Sequence, residues 1–430
     1  MRSRKLLAMA GTLVLAGNLM AGCAAGVDSE TTAAATAETS TGAAPQTQAQ
    51  TQTPASSSSS AADTSELFSD RDLEQVADVS VASYITLADG TDVTISGEGV
   101  YVVSGTARNS TIIVDAPEDA KVQLVLSGVS ITNDDFPAIY VKEADKVFAT
   151  TASGTENTLS VTGTFTADGT TNTDAVIFCR SDLTLNGEGT LTVTSAQGNG
   201  ISGKDEVTVT GGTYAITAKE DAIEAHDAVN IADGTFTIST DKDGLHSEDS
   251  DDPTAGSIYI GGGTFTIDAG DDGIQGTTQT TIDGGTFTIQ ASEGIESTIV
   301  TIDGGTIDIT ASDDGINAAQ KGTGTDIEII INGGDITIDM GQGDTDALDS
   351  NGSLYINGGT LTITANSPFD YDKDGAINGG TVFVNGSQVT EIYNQMMGGG
   401  RGQMGGRGQA PGGGSQMPGG GVRPGNAGSV

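Results

Sequence analysis

Gly262-Gly263-Thr264-Phe265-Thr266-Ile267, followed closely by Asp271-Asp272-Gly273-Ile274, is a phrase that returns along the chain. It recurs as Gly284-Gly285-Thr286-Phe287-Thr288-Ile289 with Glu293-Gly294-Ile295, and as Gly304-Gly305-Thr306-Ile307-Asp308-Ile309 with Asp313-Asp314-Gly315-Ile316. Marked by the glycine before the first strand residue, the copies fall at Gly189, Gly212, Gly234, Gly263, Gly285, Gly305, Gly334, Gly359 and Gly380. The steps are 23, 22, 29, 22, 20, 29, 25 and 21 residues. A unit of about 21 residues with occasional insertions is the mark of a solenoid.

The residues inside each unit say which solenoid. Thr-Phe-Thr-Ile alternates polar and apolar positions and is rich in β-branched side chains, so it reads as a half-buried strand. Each unit adds an acid-Gly-Ile piece and a third piece such as Ser257-Ile258-Tyr259-Ile260, which leaves no room for a helix. Three short strands per coil, with glycine at the corners, predict an all-β parallel β-helix whose coils stack at the inter-strand spacing of roughly 4.8 Å. About a dozen coils would make a stack roughly 60 Å long.

Outward from this block the chain changes character. Between Ser80 and about Thr155 the strands at Ile85, Val93–Ile95, Val100–Val103, Thr111–Val114 and Val122–Leu126 repeat more loosely, as a capping region should. Residues 1–22 carry Arg2, Arg4 and Lys5 before an apolar run, too short for a membrane span, and read as a secretory signal. Leu19-Met20-Ala21-Gly22-Cys23 resembles a bacterial lipobox, which predicts lipidation of Cys23 and a membrane-held, extracellular mature chain. Residues 23–79 are dominated by Ala, Thr, Ser and Gln and are expected to form a flexible linker. The repeat domain is expected over 80–395, and the Gly-rich 396–430 as a flexible, weakly basic tail.

Charge narrows the partners. A formal net charge of −41 against 17 Lys and Arg repels nucleic acid and attracts cations. Cys179, in Val176-Ile177-Phe178-Cys179, reads as a buried core thiol, and the absence of Trp argues against a long row of exposed aromatic rings.

Aligned by coil, Asp174, Asn199, Asp221, Asp243, Asp272, Glu293, Asp314 and Asp346 form one column at the corner before the acid-Gly-Ile piece. Directly after the Ile or Leu sit Glu224, His246, Gln275, Glu296, Asn317 and Asp349, expected to point outward and to contact ligand. Asp182, Asp205, Asp227 and Asp249 suggest a further column, and Asp370, Asp372 and Asp374 open like a calcium loop, with Thr381 where an EF-hand has glutamate. Two carboxylates about 5 Å apart repel by roughly 3 kcal/mol at an effective dielectric near 20. A cation bridging adjacent coils removes that cost, and Ca2+ suits an all-oxygen set without a Cys or His cluster. The expected metal ligands are Asp221, Asp243, Asp249, Asp272, Glu293, Asp314, Asp346, Asp349, Asp370, Asp372 and Asp374.

Several of these phrases occur together and in order: Asp182-Leu183-Thr184-Leu185-Asn186-Gly187, Gly200-Ile201-Ser202-Gly203-Lys204-Asp205, Glu293-Gly294-Ile295-Glu296, Asp313-Asp314-Gly315-Ile316-Asn317 and Asp346-Ala347-Leu348-Asp349. From about Ser80 to Gln388 the chain resembles the bacterial carbohydrate-binding domain family first described from a cellulolytic clostridium. The resemblance implies a right-handed parallel β-helix like that of polysaccharide lyases, bound calcium, affinity for cellulose and acidic, pectin-like sugars, and no catalytic residue. The expected function is calcium-dependent polysaccharide binding at the cell surface. The alternatives are a lyase or glycosidase acting on uronate polymers, or an adhesin without sugar specificity.

Overall fold

The computed structural model describes residues 64–323, 326–341 and 345–392. The signal segment, Cys23, the linker before residue 64, Asp344 and the Gly-rich tail lie outside the described residues. All described residues belong to one unit that begins at Ser59.

The unit is all-β. Apart from a single turn of 3-10 helix at Thr64–Glu66, the regular structure is strand, and the strands join one hydrogen-bonded network. Through the repeat block each strand pairs in parallel with its counterpart in the next coil. Thr190–Ser195 pairs with Thr213–Ala218, and Asp182–Gly187 with Glu206–Val209. Asn199–Gly203 pairs with Ile223–Ala225. The chain thus returns to the same face after every three strands. Along the Thr-x-Thr face the register runs Thr106, Ser130, Thr158, Thr192, Ala215, Thr237, Thr266, Thr288, Asp308, Thr337, Thr362, Phe383. Twelve rungs at the usual strand spacing span about 55 Å. The last rung, Thr381–Val384, meets Ser387–Val389 in antiparallel sense, so the chain turns back on itself there.

The alternation that predicts these strands also builds the core. In Thr264–Ala269 the burial pattern is strictly exposed then buried, with Phe265 and Ile267 inward. Register then puts like on like: Phe236 stacks on Phe265 and Phe265 on Phe287, both at 4.6 Å between centroids. Each buried ring removes enough apolar surface from water to stabilise the fold by about 2–3 kcal/mol. The marker glycines have a physical reason. Gly285 has φ of 109°, and a Cβ there would sit 3.0 Å from the Phe287 ring. A side chain at this corner is excluded by both the backbone and the stacked aromatic below it.

One boundary differs from expectation. The chain engages the stack before Ser80: Phe68 and Asp72 are already buried, at 7% and 2% exposure. Composition concealed this because the contacts are made by isolated side chains in an otherwise polar stretch.

Candidate metal centre

The acid-Gly-Ile pieces form a face of their own, in register at the apolar positions Ile201, Ile223, Leu245, Ile274, Ile295, Ile316, Leu348 and Phe369. One residue further on, Ser202, Glu224, His246, Gln275, Glu296, Asn317, Asp349 and Asp370 therefore lie on successive rungs. The corner column is likewise real from Asn199 through Asp221, Asp243 and Asp272, with two corrections at its margins. Asn199 stands opposite Ala175, so Asp174 is one residue out of step, because its coil carries one more residue before the apolar position. Of the column through Asp182, Asp205, Asp227 and Asp249, only Asp205 and Asp227 share a register position, next to the Glu206–Ala228 pair. Asp182 pairs with Lys146, and the Leu183–Val207 register puts Glu206 rather than Asp205 opposite it.

Corner acids are divided between two tasks. One carboxylate oxygen accepts the backbone N–H of the equivalent residue on the next rung. Asn199 Oδ1 accepts from Asp221 N at 2.8 Å, Asp221 Oδ1 from Asp243 N at 3.2 Å and Asp243 Oδ1 from Asp272 N at 2.9 Å. Asp314 Oδ1 accepts from Asp346 N at 3.1 Å. These bonds are the ordinary turn role of Asp and Asn. The second oxygen of each Asp is left for something else, and Asn199 uses its amide nitrogen there to donate to Glu224.

What that something is differs between two groups, the described residues whose ligand atoms converge within 4.8 Å: Asp221, Asp243 and His246, and then Asp272, Glu293 and Glu296. In the first, positive partners are built in. His246 Nδ1 lies 2.9 Å from Asp221 Oδ2, and Lys242 Nζ lies 3.1 Å from the same oxygen and 3.8 Å from Asp243 Oδ2. Burial works to raise the Asp221 carboxyl, but His246 and Lys242 outweigh it and hold it below the usual range. Asp243 is pushed up to about 6 by burial and by Asp221.

The second group is short of positive charge. Among the described residues its one ion-paired cation is Lys321, which meets Glu296. Gln275 Nε2 donates to Asp272 Oδ2 and, at 3.0 Å, to Glu296 Oε2. Asn317 Nδ2 donates to Glu293 Oε2 at 3.0 Å and to Glu296 Oε1 at 3.3 Å. Asp272 is pushed up to about 9, first by burial and then by Asp243, Glu293 and Glu296. Glu293 is pushed up to about 7 by burial and Glu296. Carboxylates this close cost about 3 kcal/mol per pair when both are ionised, so without a cation the group holds protons.

Tested against Ca2+, this second group fits. It offers three carboxylates and two amides, all oxygen donors once the Gln275 and Asn317 amides present their carbonyl oxygens. Asn317 is 7% exposed and its Oδ1 is a buried acceptor without a donor. The first group fits less well, since Lys242 and His246 already meet its charge.

The remaining expected site residues are dispersed. Glu224 is satisfied by Asn199 Nδ2 at 2.9 Å, Ser202 Oγ at 2.7 Å and Lys204 at 3.7 Å. Asp314 is pushed up to about 7, chiefly by burial and then by Asp349. Asp349 is pushed up to about 6 by burial and Asp370, so the last coils form a looser acidic group with Asp346. Asp249 accepts from Asp251 N at 2.9 Å in a turn outside both groups. Asp372 and Asp374 are exposed, and their main-chain bonds to Ser350 and Leu354 tie them to the preceding coil. Lys242 and Lys321 were missed as site residues. Lys321 sits in the insertion that lengthens its coil to 29 residues, and that irregular step was the available signal.

An Asp272→Asn variant separates crowding from simple turn formation. With a chelator present its melting temperature is expected to rise, because one of three crowded charges is gone. The calcium-induced rise is expected to shrink as affinity falls about tenfold, or 1.4 kcal/mol. A lower melting temperature in chelator would show that the carboxylate is an ordinary turn residue.

The fold is a parallel stack of three-strand coils that bears, along one edge, a ladder of buried and half-buried carboxylates with two groups at metal-ligand spacing. The chain belongs to the family of carbohydrate-binding domain-containing proteins, whose model matches residues 89–375. It is similar to a carbohydrate-binding domain-containing protein of Acetivibrio thermocellus, 35% identical over 129 residues, which is 30% of this chain and 45% of that relative. The match thus spans less than half the length of the relative. Among solved structures it is similar to the polysaccharide lyase-like protein from C. thermocellum in a gadolinium derivative, at 27% identity and a TM-score of 0.47. That match covers 58% of this chain and 96% of the other.

Proposed function

We propose that this protein is a surface-anchored lipoprotein that binds polysaccharide through calcium, on a right-handed parallel β-helix. The observation that carries the reading is the Asp272, Glu293 and Glu296 group, two buried acids and one half-buried, of which Glu296 pairs with Lys321. Family membership supports sugar as the ligand, and charge supports the kind of sugar. A chain of net charge −41 meets an acidic polymer of the plant cell-wall type only through a bridging cation. An open groove of about 510 Å³ supports a place for it. In its lining, Ser292 immediately precedes Glu293 of the corner column, and Gly270 and Ser312 come two residues before Asp272 and Asp314. Attachment by a lipid on Cys23 would place the rod outside the cell.

Binding is preferred to catalysis for a physical reason. Elimination from a uronate needs a base that is neutral when it acts. Burial works to lower the Lys242 ammonium, yet Asp221 and Asp243 win and raise it, which keeps it protonated. Pull-down of the purified protein on insoluble polygalacturonate tests both parts. Capture is expected with calcium and is expected to drop at least about tenfold with a chelator, with no unsaturated products released. Capture indifferent to chelator would remove the calcium bridge, and product release would make the rod a lyase.

A further inference from the structure

The strongest feature outside the acidic face is the segment from Thr64 to Val79, which lies across the third face of the stack. That face carries an outward column, in register, of Gln123, Phe148, Thr184, Thr208, Asn230 and Tyr259. Outward side chains of a solenoid ordinarily meet water, yet Phe148 is 1%, Thr184 and Thr208 0% and Asn230 3% exposed. The segment contributes to that cover. Phe68 packs against Tyr259 with centroids 6.0 Å apart, and the Arg71 guanidinium lies 4.3 Å over the Phe148 ring.

The deepest contact is a carboxylate. Asp72, 2% exposed, places Oδ1 2.8 Å from Lys146 Nζ and accepts at the same oxygen from Thr184 Oγ1 at 2.5 Å. Asn186 Nδ2 donates to the Asp72 and Glu74 carbonyls at 3.2 and 3.0 Å. Gln75 accepts from Gly187 N at 2.8 Å and donates to Thr210 O at 3.1 Å. Burial works to raise the Asp72 carboxyl, but hydrogen bonds from Lys146, Ser69 and Thr184 outweigh it and keep it ionised. The seat therefore offers aromatic rings, hydroxyls, a carboxamide and one ammonium group, a set suited to a sugar ring with an acid group.

The manner of attachment matters as much as the chemistry. Leu73, Val76 and Val79 of the segment face solvent at 49%, 68% and 41% exposure, while Asp72 and Gln75 reach into the rod. It is held by the ring contacts of Phe68 and Arg71, by hydrogen bonds and by the buried Asp72–Lys146 pair, and a ligand bringing its own carboxylate and hydroxyls can replace the polar contacts. Gly211 makes room for it, since a Cβ there would lie 2.2 Å from Gln75 Oε1.

We propose that the floor beneath Thr64–Val79 is a second saccharide-binding surface, specific for a carboxylate-bearing sugar, and that the segment is a detachable strap whose Asp72 holds the place of the ligand's acid group. This rests on the reading of the rod as a sugar binder, but it needs no metal. While the strap is seated, the apparent affinity is the intrinsic one scaled by the open fraction.

The test uses the mature chain in excess chelator, with a galacturonate trisaccharide as probe and cellotriose as the neutral control. Asp72→Asn combined with Gln75→Ala loosens the strap and is expected to tighten trisaccharide binding about tenfold. Cellotriose binding should not change, and adding Lys146→Met should erase the gain. Unchanged trisaccharide affinity in the loosened variant overturns the proposal; if calcium-dependent polymer capture survives in that variant, the reading of the acidic face stands alone. Loss of capture in the wild-type protein would instead remove the sugar-binding reading itself. Should the loosened variant fail to fold, hydrogen exchange on the wild-type chain decides. Saturating trisaccharide is expected to speed exchange across residues 64–79, and unaltered exchange rejects the strap.

Discussion

In chelator, the melting temperature is expected to fall on the order of 5–10 °C between pH 5 and pH 8, and calcium is expected to restore most of the loss at pH 8 while adding little at pH 5. The direction follows from protons. Asp272 moves from 3.8 to about 9 on folding, Asp314 from 3.8 to about 7, and Glu293 from 4.5 to about 7. These folded-state values are raised, so the folded chain holds protons that the unfolded chain has released. Their stabilisation is complete below about pH 4 and is lost as pH climbs toward 7 for Glu293 and Asp314 and toward 9 for Asp272. Each proton held only by the folded chain costs about 1.4 kcal/mol per pH unit in that window. A bridging cation takes the place of those protons and therefore stabilises most where they are scarcest. Scanning calorimetry at both pH values, with and without calcium, reads the effect. A chelated protein that grows more stable from pH 5 to pH 8 would mean that the acids are not crowded.

Phe265→Ala is expected to cost about 4 kcal/mol, the largest loss from any single truncation in the repeat block. The ring sits between Phe236 and Phe287 with interplanar angles of 1° and 2°, so its removal leaves both faces of a void without contacts. In a solenoid each rung touches only its neighbours, and weakening two adjacent interfaces divides the stack. Denaturant unfolding is therefore expected to change from one transition to two, with limited proteolysis cutting near the altered rung. Thr266→Ala, one residue on but facing water, is expected to stay within about 0.5 kcal/mol. A loss below about 1 kcal/mol at Phe265 would show that the aromatic ladder contributes little to cohesion.

The repeat was legible because a solenoid writes its geometry in sequence period. Thr-Phe-Thr-Ile recurs with its glycine because each coil must turn the same corner over the same ring, and the twelve rungs follow from counting. The acidic corner was legible for the same reason, since Asp221, Asp243 and Asp272 occupy one register position. What escaped was anything set by chain between the regular pieces. Asp249 matches the composition of the site, but a turn in an insertion sets it outside both groups, and Asp372 lies exposed on a later coil. Lys321 reaches Glu296 from an insertion, and Asp72 reaches Lys146 across 74 positions from a stretch whose composition resembles a tether. Periodicity reports which residues share a face; it carries no information on which loops fold over that face.

The reversed strand Ser387–Val389 bears on how such molecules act together. Every other junction in the repeat block offers the next coil an edge running in the same direction, and that edge is what a neighbouring molecule would need in order to prolong the spiral. On this face the last described strand runs the opposite way, so a second copy could not prolong the face in the coils' own parallel register.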